Sequence, residues 1–482
     1  MKQKKLFLYM LLINQFVMAA SFASENNDLT IYQVMQRVLD RYPSLKISEI
    51  EVAQAAEQKQ QIESSLGWIL NSSAGVMHDL TALGTPSDRL DVTGSVGRKL
   101  ESGASVSLNG GYRYEDSSLV FNKAFPNPAH TTRLDLSYRL PLLQGEGNPV
   151  YAQGIISSEA GHELAKANHL LTKITLAEKV KDLFYATAVT TKRIESAQKA
   201  VARAKKLNEY VISRYKLGLA EDKDKLQSKA QLQSKLAELS GIQLQWEQQK
   251  RNLNRLMIEK WDANLNPVLL NLNTTKDYDL VHLIRSITNY HPTVKMSQAN
   301  LQIAESEIKS ARDTTKDNLD LVVSVGSRTS SGKNTTGGTV NEQDWAGAVR
   351  VEYNHLFDDK GVSSKYNQAQ LKRNIALVNI KKIEDDIRYT ASGLVSEIKS
   401  AKQTVDAAYQ TLKSESLKLK EAEYRYRNGR SDTAQLIQFQ NEFSFAELSY
   451  LTQKVDLNNR IIALQIFSGQ FWDKLHTHNG VK

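Results

Sequence analysis

The sequence predicts a mixed α/β membrane protein built from two tandem repeats, each combining barrel-type strands with a very long helix. Three features of the 482-residue chain support this class. Two long stretches contain no proline and carry a sustained seven-residue pattern of apolar side chains. Several shorter stretches alternate apolar and polar residues with a period of two. The order of these elements then occurs a second time along the chain.

The long helices are predicted from where proline is absent. None of the eight prolines falls between residues 150 and 266, and none follows residue 292. Proline is excluded from helix interiors because it lacks the amide N–H and clashes with the preceding turn. A helix from Val150 to Lys216 would be roughly 100 Å long at about 1.5 Å per residue.

Both stretches place small or apolar residues at alternating steps of four and three, which predicts helices that pack side by side as a coiled coil. The seam of the first helix consists of Leu176, Val180, Leu183, Thr187, Thr190, Ile194, Ala197, Val201, Ala204, Asn208, Val211 and Tyr215. The seam of the second consists of Ile387, Ala391, Leu394, Ile398, Ala401, Val405, Ala408 and Leu412.

Stretches of about ten residues with one apolar face and one charged or small face are typical of transmembrane barrel strands. A half-buried strand of a soluble sandwich has the same local pattern, so the alternation alone leaves both interpretations open. The N-terminal signal and the long helices favour a membrane. The candidate strands cover residues 69–78, 90–98, 104–115, 132–140, 319–328 and 345–355.

The internal repeat is clearest where an aromatic residue precedes proline and a helix follows. YPSLKISEIEVAQAAEQKQQIESS begins at Tyr42, and HPTVKMSQANLQIAESEIKSARDT begins at His291. The predicted segments are a signal peptide at 1–23, a first repeat at 24–260, a joining segment at 261–279, a second repeat at 280–468 and a C-terminal tail at 469–482.

The N-terminus has the layout of a secretory signal peptide, with lysines before an apolar run and with Ser21 and Ala23 suited to a cut before Ser24. The chain has no cysteine, so we expect no disulfide, no thiolate metal site and no lipid attached to cysteine. Loss of the three signal lysines would lower the formal charge from +9 to +6. Because this charge is spread without a basic block, we expect no binding to nucleic acid.

Each long helix ends at a related glycine turn, RYKLG at Arg214–Gly218 and RYRNG at Arg425–Gly429. A glycine just beyond a helix can adopt the left-handed conformation that ends it. A plain helical-hairpin turn accounts for both sequences, with tip turns near residues 214–222 and 425–433. Asp432 is expected to cap the helix after the second turn.

Together, the two-copy order, the RYxxG turns and the strand-to-helix transitions LPLLQGEG (Leu140–Gly147) and HLFDDKG (His355–Gly361) resemble the outer-membrane factor family, the TolC-type outer membrane efflux proteins. The resemblance implies a homotrimer in which each chain gives four strands to a shared transmembrane β-barrel. Its helices would continue as a long periplasmic α-helical coiled-coil barrel. A lone chain could not close its sheet edges in lipid, whereas three copies around one axis could.

The resemblance further implies an exit duct in the bacterial outer membrane. It would passively conduct substrate from an inner-membrane transporter, either an ABC or a proton-driven pump, and from its periplasmic adaptor, a membrane fusion protein. Small-molecule efflux and type I protein secretion both remain open. The adaptor-docking residues that the resemblance implies are Arg214, Tyr215, Leu217, Gly218, Leu219, Arg425, Tyr426, Arg427 and Gly429.

The sequence departs from the family pattern in two places. The first half has more strand candidates than the second, so the hairpin at 90–115 either lies outside the barrel or replaces strand 69–78 in its wall. In the second copy, Gln435 and Gln438 stand where many relatives have the acidic residues of a narrow closing ring. The candidates for the tunnel constriction are Asp224, Gln227, Asp432, Gln435 and Gln438.

Two other classes of protein fit less well. A non-conducting periplasmic coiled-coil scaffold would explain the helices but neither the amphipathic strands nor the repeat. An enzyme is not predicted, because no nucleophile, base and acid occur at an interpretable spacing; no cofactor is predicted either.

GSRTSSGKN at Gly326–Asn334 has the wrong glycine spacing for a phosphate-binding loop, and we expect an exposed loop there. His476 and His478 are assigned to the tail and not to a metal site.

Overall fold

The computed structural model describes residues 28–80, 85–118, 123–269, 278–358 and 360–479. The predicted signal peptide and residues 270–277 of the joining segment lie outside these ranges. The helices are α1 (Ile31–Arg41), α2 (Pro43–Ser64), α3 (Pro149–Lys216), α4 (Asp222–Met257), α5 (Leu280–Tyr290), α6 (Pro292–Asp313), α7 (Lys360–Arg427), α8 (Thr433–Phe467) and α9 (Gln470–Asn479). The strands are β1 (Asp28–Leu29), β2 (Ile69–Leu80), β3 (Pro86–Lys99), β4 (Ser105–Ser117), β5 (Pro126–Pro141), β6 (Asn266–Pro267), β7 (Asn318–Asn334) and β8 (Thr339–Asn354).

The two predicted long helices are confirmed as α3 and α7, each of 68 residues. α3 begins at Pro149, where the fixed φ of proline suits the first helical turn. The predicted seams are largely confirmed as well, since Val180, Thr187 and Val211 of α3 are buried, as are Ala391 and Ile398 of α7. Among the described residues, no helix is both long enough and apolar enough to cross a bilayer.

All six predicted strands are confirmed, and they form one antiparallel sheet in the order β2-β3-β4-β5-β7-β8. The hairpin at 90–115 belongs to this sheet. Strands β3 and β4 lie between β2 and β5 in the same sheet, so the hairpin neither leaves the sheet nor replaces β2. The family resemblance implies four strands from each chain, whereas the sheet formed by the described residues has six.

The register of the sheet separates apolar and polar side chains onto opposite faces. Leu70 pairs with Val96, and the same line of partners continues across the sheet through Leu108, Leu136 and Val325. Because paired residues share a face, most large apolar side chains of the six strands lie on one face, here called the apolar face. Its exposed members are Leu70, Val76, Val92, Val96, Leu108, Leu134, Leu136, Tyr138, Val323, Val325, Trp345, Val349, Val351 and Tyr353.

The opposite, polar face carries paired charges. Arg113 donates to Asp91 at 2.7 Å, which joins the neighbouring strands β4 and β3. Arg139 of β5 donates to Asp320 of β7 and to Glu352 of β8, both at 2.7 Å. These bonds pair the charged side chains of this face, so the polar face suits an aqueous environment.

Strand β7 corrects one prediction. The exposed loop expected at Gly326–Asn334 is the second half of this strand, and the chain turns only after Asn334. Serine and threonine at alternate positions of this stretch retain the period of two, so the polar composition that indicates a loop is equally compatible with a strand.

The described chain divides into two compact units. The sheet unit comprises Ser44–Thr172 and Thr288–Arg388, and the helical unit comprises Met1–Pro43, Lys173–Ile287 and Tyr389–Lys482. In the sheet unit, an ion pair of 2.7 Å joins Lys59 of α2 to Glu159 of α3. In the helical unit, β1 and β6 pair in parallel.

The predicted C-terminal tail is also corrected. Residues 470–479 form helix α9, and its side chains Phe471, Trp472 and Leu475 are buried in the helical unit. Phe471 stacks on Tyr32 of α1 with 5.2 Å between the ring centroids. Burial of these large apolar side chains provides the free energy that orders the segment.

Candidate functional site: the paired helical turns

The first glycine turn ends α3 with a left-handed residue. Gly218 has φ of 70°, and its N–H donates to the carbonyl of Tyr215 at 3.0 Å. The next N–H, that of Leu219, donates to the carbonyl of Arg214 at 2.8 Å. This pair of bonds is the Schellman arrangement, which satisfies carbonyls that the end of a helix leaves free.

The second turn repeats this geometry at the end of α7. Gly429 also has φ of 70°, and its N–H donates to the carbonyl of Tyr426 at 3.1 Å. The N–H of Arg430 donates to the carbonyl of Arg425 at 2.8 Å. The prediction of two equivalent glycine-terminated turns is therefore confirmed.

The helices that follow the two turns begin differently. Asp432 accepts a hydrogen bond of 2.7 Å from the N–H of Gln435, which confirms the predicted cap of α8. At the start of α4, the carboxylate of Asp224 accepts from the N–H of Glu221 at 3.3 Å. Both carboxylates lie beside the first turn of a helix, where a negative charge is stabilised.

The two tyrosines of the paired turns occupy opposite environments. Tyr215 is 39% exposed and lies beneath the ammonium of Lys225, which is 4.3 Å from the ring centroid. Tyr426 is 5% exposed, and its hydroxyl is 3.0 Å from the hydroxyl of buried Thr433. Burial raises the pKa of Tyr426 above its ordinary value, so it remains a neutral partner for Thr433.

The second turn packs on a small apolar core that joins α3, α7 and α8. Tyr210 of α3 meets Tyr426 edge-on with 5.8 Å between the ring centroids. This contact brings the two turns together, although their sequences are far apart in the chain. The buried residues of this core are Leu207, Val211, Leu419, Ala422, Tyr426, Leu436 and Ile437.

A cavity of about 320 Å³ borders this core, and its lining is mainly aromatic and cationic. Arg203, Lys206 and Arg427 contribute positive charge, while Glu423 contributes the opposing carboxylate. Burial lowers the pKa of Arg203, which donates to the hydroxyl of Ser444 at 2.7 Å.

The predicted docking residues differ in accessibility. Leu217 and Leu219 are 73% and 61% exposed, so the first turn presents apolar side chains to solvent. Arg425 and Arg427 of the second turn are also exposed, and Arg425 forms an ion pair of 2.8 Å with Glu421 on its own helix. Both long helices carry two basic residues in their last turn, but only the first turn adds exposed leucines.

Four of the predicted constriction residues are exposed, namely Gln227 on α4, Gln435 and Gln438 on α8, and the cap residue Asp432. Gln438 contacts an acidic residue that is not among the candidates predicted from the sequence. Its amide donates at 2.8 Å to Glu442, which lies one turn further along α8. Glu442 in turn accepts from Lys418 of α7 at 2.6 Å. The i,i+4 spacing from Gln438 to Glu442 is the signal that could have identified this residue.

Lys418 and Glu442 stabilise each other's charged forms. The hydrogen bond from Lys418 is the main cause that lowers the pKa of Glu442. Hydrogen bonds to Glu415 and Glu442 raise the pKa of Lys418. In the part of the chain that the structure describes, no group of three His, Asp or Glu side chains is placed to hold a metal ion.

The two-faced sheet and the long helices that end in matched glycine turns make up a fold that solved outer-membrane channels share. The outer-membrane channel OprN shares this fold with a TM-score of 0.68 at 14% identity, covering 91% of this chain and 89% of that chain. For VceC from Vibrio cholerae the TM-score is 0.66 at 14% identity, with 91% and 96% covered. For the Campylobacter jejuni channel CmeC it is 0.65 at 18% identity, with 92% and 86% covered.

The predicted resemblance to the outer-membrane factor family is thus confirmed at the level of the fold. No family model matches the sequence, and no curated protein does. The structural neighbours are channels and not enzymes.

Proposed function

We propose that this protein is the outer-membrane exit duct of a tripartite export system. As a homotrimer it passively conducts substrate that an inner-membrane transporter, ABC or proton-driven, delivers through a periplasmic adaptor. The cargo is either a small molecule or a secreted polypeptide. The sheet unit lies in the outer membrane, and the paired turns lie in the periplasm and meet the adaptor.

The observation that carries this proposal is the uncovered apolar face of the sheet. Valine, leucine and aromatic side chains on this face are exposed along all six strands, as at Val76 and Trp345, and the opposite face holds charge pairs. In water such a surface would aggregate, whereas in lipid it is stabilised. A sheet with one apolar and one polar face suits the wall of a water-filled pore.

Exposed apolar side chains on the helices support the association of several copies. Leu371, Ile375 and Val378 of α7 are largely exposed at spacings of four and three. Leu236 and Leu244 of α4 are exposed as well. In a trimer these side chains would lie between neighbouring chains, which removes them from water.

At the paired turns, the proposal separates the exposed side chains from the buried Tyr426. The exposed side chains Leu217, Leu219, Arg425 and Arg427 form the adaptor-docking surface. Buried Tyr426 holds the second turn in place and does not contact the adaptor. Gln435 and Gln438, with Glu442 beside them, line the closing end of the tunnel.

Conductance measurements separate the duct from the alternative, a non-conducting periplasmic scaffold. The purified protein should insert into planar lipid bilayers and give discrete single-channel steps, and it should fractionate with the outer membrane. A protein that stays in the periplasmic fraction and gives no conductance contradicts the proposal.

Docking is tested separately by Arg425→Glu and by Gly429→Pro. Either change should abolish export while trimers still assemble, because the turn meets the adaptor and not the neighbouring chains. Normal export by both variants would contradict the assignment of these turns as the adaptor-docking site.

A further inference from the structure

The hairpin formed by β3 and β4 is continuous with the rest of the sheet. On the polar face, Asn71 of β2 pairs with Ser95, which pairs with Asn109 of β4, which pairs with Asp135 of β5. The same line continues to Gly326 of β7. No register shift interrupts β2, β3 and β4, so the hairpin presents the same apolar and polar faces as its neighbours.

The turn between β3 and β4 is locked to the end of β5. Gly147 donates its N–H to the carbonyl of Ser102 at 2.9 Å, and the Asn148 amide donates to the carbonyl of Leu100 at 3.3 Å. Gly103, at φ of 86°, lies so close that a Cβ there would be 2.1 Å from the carbonyl oxygen of Gly145. These contacts fix the hairpin where strand β5 leads into helix α3.

The outer edges of β2 and β8 are the two ends of the sheet, and among the described residues no further strand pairs with either. Unpaired backbone groups at such edges are not tolerated in the hydrocarbon of a membrane. Successive strands alternate in direction, so the sixth strand of one chain is antiparallel to the first strand of the next. An even number of strands in each chain thus permits closure by further copies of this chain with every pairing antiparallel.

We infer that each chain contributes all six strands to the barrel, so that a trimer closes an eighteen-stranded wall through pairing of β8 with β2 of the next chain. The inference rests on the proposed function, because it needs the trimer and the membrane. Barrel diameter grows roughly linearly with strand number, so the pore in the membrane is about 1.5-fold wider than that of a twelve-stranded wall.

Cysteine pairs test the strand order, and the cysteine-free chain makes each pair unambiguous. The pair Asn109→Cys with Asp135→Cys joins β4 to β5 and should cross-link within one chain when a short bifunctional thiol reagent is added to membranes. The matched control is Asn71→Cys with Asp135→Cys. If all six strands of the chain lie in the wall, these positions are three strand spacings apart, about 14 Å, and should not cross-link.

Closure is tested by combining Asn71→Cys with a cysteine at Ala346, Ala348 or Arg350 of β8. Within one chain these edges are five strand spacings apart, about 24 Å, so any cross-link joins different chains. For the β8 position that lies opposite Asn71 of the next chain, we expect covalent dimers and trimers in denaturing gels.

The outcomes separate the inference from the proposed function. If the control pair cross-links while Asn109 and Asp135 do not, the hairpin lies outside the wall; the inference fails and the duct stands. If no β8 position cross-links to β2, neither the closed wall nor the trimeric duct survives. Electron cryomicroscopy of the detergent-solubilised trimer counts the strands directly, and twelve in cross-section would overturn the inference.

Discussion

The two halves of the chain match closely in their helices and differ in their strands. Helices α1 and α5 both have 11 residues, α2 and α6 both have 22, and α3 and α7 both have 68. The first half contributes four strands to the sheet, and the second contributes two. An extra hairpin can thus be accommodated within one half without changing its helices, because the hairpin extends the sheet sideways.

The two glycine turns have matching backbones, but their side chains lie in different environments. Each turn has the same pair of carbonyl bonds and the same φ at its glycine, yet Tyr215 faces solvent while Tyr426 is buried. The backbone geometry depends on the local sequence, whereas the burial depends on which helix packs beside it.

Replacement of the buried tyrosine should have the largest effect. We expect Tyr426→Ala to lower the free energy of unfolding of the helical unit by about 3–5 kcal/mol, as for other buried aromatic truncations. Tyr215→Ala, the matched change in the other turn, should alter it by no more than about 0.5 kcal/mol. Denaturant unfolding followed by tryptophan fluorescence gives both values, and equal losses would contradict the difference between the turns.

A conservative variant separates packing from hydrogen bonding at the same position. Tyr426→Phe keeps the ring against Tyr210 but removes the hydroxyl contact with Thr433. We expect a loss of about 1 kcal/mol, the usual net value of one hydrogen bond. A loss as large as that of Tyr426→Ala would show that the hydroxyl, and not the ring, holds the turn.

The extra hairpin of the first half is tested at Gly103. Alanine there should be destabilising by about 1–3 kcal/mol through overpacking, because its Cβ would overlap the Gly145 carbonyl. Gly337→Ala, at the turn of the second-half hairpin, is the matched control, since Gly337 has nearly the same φ, 85°, but open space at the Cβ position. Heat-resistant trimers on gels should be depleted for Gly103→Ala relative to Gly337→Ala. Equal yields would mean that the hairpin turn is not locked to β5.

The first turn, with its exposed leucines, and the second turn should contribute unequally to docking. Leu219 and Arg430 are equivalent positions, as each donates the second Schellman bond. We expect Leu219→Asp to weaken adaptor binding about tenfold through loss of roughly 1.4 kcal/mol of apolar contact. Arg430→Asp should weaken it less if the first turn is the main docking surface. Binding of purified adaptor to wild-type and variant trimers measures both, and the reverse order would assign docking to the second turn.

The smallest effect is expected at the ion pair between α7 and α8. Because the pKa of Glu442 is lowered in the folded state, its contribution to stability is present above the ordinary glutamate pKa and is lost as the pH falls through the lowered value. Lys418, whose pKa is raised, stays charged throughout this range. Melting curves at pH 7 should show Glu442→Gln slightly less stable than wild type, and the difference should shrink as the pH falls below the ordinary glutamate pKa and vanish below the lowered one. A difference that persists in acid would need another cause.

Much of the fold could be predicted from the sequence because its elements are long and regular. The period of two located all six strands, and the proline-free stretches located α3 and α7, since both patterns record which side chains share a face. The predictions were wrong where the local composition indicates a loop or a tail but contacts with distant residues order the segment. Phe471 and Trp472 lie in a short terminal segment with two histidines, and only their burial against Tyr32 and its neighbours indicates an ordered helix.

The sequence by itself determined the helix ends, the caps and the two-faced strands, because these depend on backbone conformation and on neighbours within a few residues. Only the tertiary structure decided that the hairpin at β3 and β4 lies inside the sheet, since strand order depends on pairing between distant segments. It also decided which of two similar tyrosines is buried. RYKLG and RYRNG encode the same turn, but Tyr426 is buried because Tyr210 and Thr433 pack against it.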